Sequence, residues 1–199
     1  MTVIFDYGAG NLRSVENSFD ALGARYDLVR DADALSRASK IILPGVGHFG
    51  QMLRALDELA ARETLVARIR AGIPFLGICL GLQALFEGSE EAPGQRGLGI
   101  LPGTVRRFDP SSRVPHMGWN QIEIVAPSKL LAGIPQRSFV YFAHSYYVPV
   151  VSEMVATCTY SLPYTAVIES GNVFGVQCHP EKSGDVGLAI LKNFMELPC

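Results

Sequence analysis

Three short stretches of this chain set chemically capable side chains among residues that shape the backbone. The first is Gly77-Ile78-Cys79-Leu80-Gly81, a single cysteine between two glycines. Flanking glycines permit a very tight turn, and such a turn between a strand and a helix lifts the side chain at its apex clear of the sheet. A cysteine held there is a candidate nucleophile, because the helix N-terminus behind it favours the thiolate, which is the reactive form. The N–H of Leu80 would point at the same space and serve an oxyanion. Taken alone, Cys79 also fits the description of a small buried hydrophobe.

A thiolate nucleophile needs a base, and the base needs a group to orient it. GVQCHPEKS, residues 175–183, supplies both. His179 and Glu181 are two apart, so in an extended segment they share a face, and Pro180 restricts the backbone between them. Glu181 would accept a hydrogen bond from one imidazole nitrogen while the other nitrogen faces the thiol. A surface histidine beside a glutamate is the plainer alternative. The third stretch is LPGVGHFG, residues 43–50. Its glycines free the backbone to turn N–H groups, those of Val46 and Gly47, toward an oxyanion. An ordinary strand-to-helix loop would read the same way.

The elements around these stretches must hold them together. TVIFD is a short apolar run, and Leu12, Val15, Phe19 and Leu22 follow at helical spacing as far as Gly23. KIILP and PFLGI show little alternation, as strands buried on both faces do. Helical patterns cover residues 51–71 and LGLQALFEG. Alternating strands and helices predict an α/β fold with a mostly parallel central sheet flanked by helices, whose ligand sites lie beyond the carboxyl ends of the strands. After about residue 100 the chain becomes β-rich: TVRRF, QIEIV, SFVYFAHSYYV, EMVATCTY, TAVIES and NVFGVQCHP are strand-like. SGDVGLAILKNFMEL closes the chain as a helix, with Ser183 placed to cap it.

Composition narrows the function. The 199 residues, 48% hydrophobic, fit one domain spanning 1–199. A net charge of −2 with scattered Lys and Arg gives no footprint for nucleic acid or a membrane surface, so the expected substrate is small. Cys79, Cys158, Cys178 and Cys199 form neither a C-x-x-C pair nor a zinc-like spacing. That usage predicts a reducing, cytoplasmic setting. The start, MTVIFDYGAG, lacks a basic leader, and no apolar run approaches the ~20 residues of a membrane span.

An oxyanion loop, a G-x-C-x-G elbow and H-P-E near the C-terminus, in this order and across nearly the whole chain, resemble the class I, triad-type glutamine amidotransferases. The resemblance implies their fold, a Cys79-His179-Glu181 triad, and no cofactor or metal. It also implies that Gln83 and His144-Ser145-Tyr146 hold the amino and carboxylate groups of glutamine, with Gly47 beside the scissile amide. FDYGAGNLRSV, LPGVGHFG, PHMGWNQI and YFAHSYYV look specifically like the glutaminase subunits of imidazole glycerol phosphate synthases. That narrower likeness implies a heterodimer with a (β/α)8-barrel cyclase, which receives ammonia and forms imidazole glycerol phosphate and an aminoimidazole carboxamide ribotide in histidine biosynthesis. The docking face would be built around Asn11, Met117, Trp119 and Lys182. The triad alone would equally serve amidotransferases of pyridoxal phosphate or guanylate synthesis, and PHMGWN is the segment that separates them. A regulator that kept the fold only for binding would have no need of all three triad residues.

Overall fold

A computed structural model describes residues 1–9 and 11–198, so Cys199 lies outside the described residues. The first half runs β1 (Thr2–Phe5), α1 (Leu12–Ala21), β2 (Asp27–Val29), α2 (Ala32–Ser36), β3 (Lys40–Gly45), α3 (Phe49–Glu58), α4 (Ala61–Arg70), β4 (Phe75–Cys79) and α5 (Leu80–Ala84). Eight strands follow: β5 (Gly88–Ser89), β6 (Thr104–Arg107), β7 (His116–Gln121), β8 (Glu123–Ile124), β9 (Phe139–His144), β10 (Tyr146–Tyr147), β11 (Met154–Thr159) and β12 (Pro163–Ser170). The chain then passes through β13 (Val173–Val176) and a 3-10 turn at Pro180–Lys182 into α6 (Gly184–Glu196).

The main sheet has the order β2-β1-β3-β4-β13-β12-β11-β8. Its β2, β1, β3, β4 and β13 are parallel, and β12, β11 and β8 add antiparallel partners at one edge. Two smaller sheets, β10-β6-β5 and β7-β9, complete the β-rich half. The architecture is α/β with a mostly parallel central sheet flanked by helices, as the strand–helix alternation predicts.

The parallel strands are buried on both faces because successive side chains enter different cores. Val3, Phe5, Ile41 and Leu43 pack with Met52, Leu53 and Leu56 of α3 and Leu65 and Ile69 of α4. Ile4, Ile42 and Leu76 pack on the opposite face with Val15 and Phe19 of α1 and Ile190, Leu191 and Phe194 of α6. Fully burying a side chain of this size contributes about 1.5–3 kcal/mol, so both helical layers are firmly held.

The insertion of β13 beside β4 matters most for function. Val176 pairs with Ile78 and Gly45 pairs with Cys79, so the ends of β3, β4 and β13 lie side by side. Three stretches far apart in sequence thereby emerge together at the carboxyl edge of the sheet, where parallel α/β sheets bind ligands.

Several local readings differ. The helical stretch 51–71 is two helices, broken where Ala60 adopts the left-handed conformation, φ 50°. The Arg62 guanidinium holds that corner through Asp57, the Leu53 carbonyl and the Arg96 carbonyl. HMGWNQ, residues 116–121, forms strand β7, paired along its length with β9. Ser183 occupies the N-cap position of α6 but makes no capping bond, because its hydroxyl is used elsewhere. Among the described residues, no helix is long and apolar enough to cross a membrane.

Candidate active site

Cys79 stands at the strand-to-helix corner with φ 54° and ψ −107°, a conformation that L residues other than glycine rarely adopt. Strain of this kind, of order 1–3 kcal/mol, persists only where the surroundings impose it. Here the two glycines let the corner close. A Cβ on Gly81 would lie 1.9 Å from the Leu43 carbonyl oxygen, and one on Gly77 would lie 2.5 Å from the Gly81 carbonyl group. The corner is thus built by packing backbone on backbone. Leu80 opens α5, and the first N–H groups of a helix have no intrahelical acceptor, so its N–H is available to a ligand.

His179 follows β13, and its Nδ1 is 2.8 Å from Glu181 Oε1, with both side chains at 5% exposure or less. The contact is made across the 3-10 turn Pro180–Lys182 rather than along an extended segment. Burial works against charge on the imidazole. The neighbouring Cys79, through charge and a hydrogen bond, and then Glu181, more than offset this and push the His179 pKa up to about 10. The geometry therefore suits a thiolate–imidazolium pair with Glu181 fixing the ring.

Ser183 completes this corner, and the sequence offered no functional signal for it. Its hydroxyl donates to the His179 carbonyl at 2.7 Å and accepts from the Tyr141 N–H at 2.9 Å, tying the His179 backbone to β9.

A cavity of about 180 Å³ opens over Cys79. Val46, Gly47, Leu80, Gln83, His144, Ser145 and Tyr146, all singled out from sequence, line it together with Glu91, Pro115, Met117 and Ala143. Gln83 is buried, and its amide nitrogen is committed to the Tyr146 carbonyl at 2.9 Å and Gln177 Oε1 at 3.0 Å. Only its oxygen remains for a ligand, so it suits an ammonium rather than a carboxylate. His144 is buried with Nδ1 on the Tyr146 carbonyl and Nε2 on the Tyr164 hydroxyl, and burial lowers its pKa to about 3. Its ring is neutral and its nitrogens are occupied, which leaves the Ser145 and Tyr146 backbone as the ligand-facing part of this stretch.

Glu91 was not evident in the sequence, where it sits among other acidic residues in EGSEEAPG. In the fold its carboxylate lines the cavity and accepts from the Phe49 N–H at the start of α3, at 2.7 Å. The Val46 peptide engages Tyr7: its N–H donates to the Tyr7 hydroxyl, which donates back to the Val46 carbonyl, both at 3.2 Å. Val46 N–H is thus held by Tyr7, while Gly47 adopts φ +94°, a conformation that glycine takes without strain.

Of the four residues expected at a docking face, Met117 and Trp119 are 65% and 54% exposed on β7, and Asn11 and Lys182 are also exposed. Trp119 meets Tyr141 edge-on, and the Lys182 ammonium lies 5.6 Å from the centre of the Tyr141 ring. Met117 pairs with Ala143, and both line the cavity, so this apolar face runs directly into the site. Among the described residues, no His, Cys, Asp or Glu cluster is arranged to hold a metal ion.

The chain resembles known proteins in sequence and in fold. Residues 3–197 match the family model "Glutamine amidotransferase class-I". The chain is 50% identical to "Imidazole glycerol phosphate synthase subunit HisH" of Methanothermobacter thermautotrophicus over 99% of this chain and 98% of that one. A Moorella thermoacetica protein of the same name is 47% identical over 98% and 93%. Among solved structures, "Crystal structure of glutamine amidotransferase" superposes with a TM-score of 0.76 at 21% identity, covering 96% of this chain and 98% of that one. "Structure of PurLQS from Thermotoga maritima" gives 0.74 at 21%, covering 97% and 96%. At that identity the structures establish the shared fold, and the family match over nearly all residues establishes kinship. With its cysteine elbow and its His–Glu pair meeting at one sheet edge, the chain belongs to the class-I glutamine amidotransferase family.

Proposed function

We propose that this chain is the glutaminase subunit of an imidazole glycerol phosphate synthase, acting in histidine biosynthesis as one domain over residues 1–199. The observation that carries the reading is the high identity, over essentially full length, to subunits of that name. The convergence of Cys79, His179 and Glu181 supports the chemistry.

In this reading the Cys79 thiolate attacks the side-chain amide carbon of L-glutamine. The carbonyl oxygen becomes an oxyanion facing the Leu80 N–H and the Val46–Gly47 backbone. His179 gives its proton to the departing nitrogen, the C–N bond breaks, and ammonia leaves a γ-glutamyl thioester. Water, deprotonated by His179, then cleaves the thioester to glutamate and restores the thiol pair. Glu181 keeps Nδ1 protonated and the ring aimed throughout. Gln83 through its oxygen and Glu91 through its carboxylate would hold the α-ammonium, and the Ser145–Tyr146 backbone and Gly47 would border the rest of the substrate. No cofactor is called for.

Ammonia released into bulk water would be protonated and lost, so it must pass to a partner. A (β/α)8-barrel cyclase would dock on the face formed by Asn11, Met117, Trp119 and Lys182, and the continuity of Met117 and Ala143 with the cavity supports an outlet there. The cytoplasm is the matching compartment. The test is glutamine hydrolysis with and without a cyclase subunit and its nucleotide ligand. We expect wild-type turnover that rises in the complex and is abolished in Cys79→Ala, with a diazo-oxo-norleucine label on Cys79 alone. Undiminished turnover in Cys79→Ala, or labelling mainly at Cys158 or Cys178, would refute the assignment.

A further inference from the structure

We infer that Gln177 is a positioning residue for the Cys79 thiolate: its buried side-chain amide donates to Sγ and, through Gln83, ties the nucleophile to the substrate-binding wall. The inference rests on the reading of Cys79 as the nucleophile.

Gln177 is fully buried, directly after β13, and does not line the cavity. Its Nε2 lies 3.6 Å from Cys79 Sγ, and its Oε1 accepts from Gln83 Nε2 at 3.0 Å. Amide nitrogens and oxygens are interchangeable in shape, so their assignment must follow from the network. Here one backbone group decides it. The Tyr146 carbonyl can only accept, so the Gln83 atom 2.9 Å away is its nitrogen. The second Gln83 hydrogen then points at Gln177, which must present oxygen there and therefore turns its nitrogen to the sulfur. His144 Nδ1, 2.8 Å from the same carbonyl, gives it a second donor and fixes it further.

The consequence is chemical. Cys79 is only 5% exposed, so a thiolate there has little water to solvate it. The imidazolium of His179 supplies one partner, and the amide N–H of Gln177 supplies another that carries no titratable proton. Hydrogen bonds to charged groups are the stronger kind, and two donors also fix where the sulfur stands relative to the substrate amide. Both Gln83 hydrogens are spent in this relay, so a substrate ammonium on the Gln83 oxygen would strengthen the donors behind it.

Two substitutions separate the roles. Gln177→Glu keeps the shape and the oxygen that accepts from Gln83 but sets an ionisable carboxyl, which opposes a neighbouring thiolate, where the neutral N–H donor stood. Gln177→Met keeps the bulk and loses both. In the full chain with its cyclase, we expect Gln177→Glu to lower kcat by about tenfold to a hundredfold with KM for glutamine within about twofold, and Gln177→Met to lower kcat similarly while raising KM. The readout that a purely structural role would not move is the pH dependence of Cys79 alkylation by iodoacetamide, located by mass spectrometry. Both variants should react about tenfold more slowly than wild type at neutral pH and approach the wild-type rate in strong alkali. Variants that match an active wild type in kcat and in alkylation, or that are slowed equally at every pH, overturn the positioning role alone. A wild-type chain that neither hydrolyses glutamine nor labels at Cys79 overturns the glutaminase reading beneath it.

Discussion

Tyr7 shows how much one hydroxyl can govern. It is buried, burial pushes its pKa up to about 12, and both of its hydrogen bonds go to the Val46 peptide. A Val46 N–H bound to Tyr7 is withdrawn from the oxyanion, and one missing oxyanion donor is worth about 10²–10³ in rate. If Val46 serves the oxyanion as proposed, the contact would act as a brake on the unpartnered chain, and docking would release it by favouring a turned peptide. We predict that Tyr7→Phe raises the glutaminase turnover of the isolated chain by about tenfold, the value of one modest hydrogen bond. Turnover of the complex should change by less than about twofold. Steady-state glutamate release from the chain alone and from the complex checks this, and equal basal rates in wild type and Tyr7→Phe would rule out the brake.

At the scale of elements, the site depends on how closely β3, β4 and α5 approach. The carbonyl of Leu43 in β3 fills the space where a Gly81 side chain would stand, so the elbow and the oxyanion strand are one packed unit. We predict that Gly81→Ala separates them. Overpacking of this kind costs about 1–3 kcal/mol and occasionally more. In a chain of this length that lowers Tm by roughly 2–12 °C. Glutaminase activity should fall by more than the loss of folded protein, because Cys79 and the Val46 loop move apart; thermal melting and turnover per folded molecule measure the two effects separately. The β7–β9 ribbon carries the other elemental prediction. Trp119 is half exposed and makes one edge contact, so Trp119→Ala should leave Tm nearly unchanged while weakening cyclase binding by about 2 kcal/mol, or roughly thirtyfold. Titration calorimetry of the variant against the cyclase decides it.

For the whole molecule, buried neutral histidines make stability depend on pH on the acid side. Burial lowers the pKa of His144 to about 3 and of His116 to about 4, both below the ordinary 6.5. Between those values and 6.5 the unfolded chain binds protons that the folded chain excludes, so stability is lost as pH falls. The slope is about 1.4 kcal/mol per pH unit for each group. His179 lies above its ordinary value, but in a thiolate–imidazolium pair its proton is the one Cys79 releases, so just above 6.5 the pair binds as many protons as the unfolded chain does and adds no slope there. We predict a urea-unfolding midpoint that is level near neutrality and declines as pH falls below about 6.5. His144→Gln should flatten that decline. A midpoint indifferent to pH from about 4 to about 7 would contradict this account.

The residues proposed to do the chemistry stood out in sequence because each carries a local steric signature. Two glycines can close a corner around Cys79, and Pro180 opens the tight turn across which His179 meets Glu181. Strand–helix alternation likewise dictated a parallel sheet. The short β2 and α2 gave no comparable pattern, and the break at Ala60 is held by Arg62 rather than by a breaker residue. What only the tertiary structure decided is which polar groups answer one another across the fold. Gln177 reaches Cys79, Glu91 reaches the N-terminus of α3, Ser183 reaches Tyr141, and Tyr7 holds Val46. Each pair is separated by 39 to 98 residues. A hydrogen bond depends on position and direction within a few tenths of an ångström, and between distant residues both arise only when β13 pairs beside β4 and the sheet brings its strand ends to one edge.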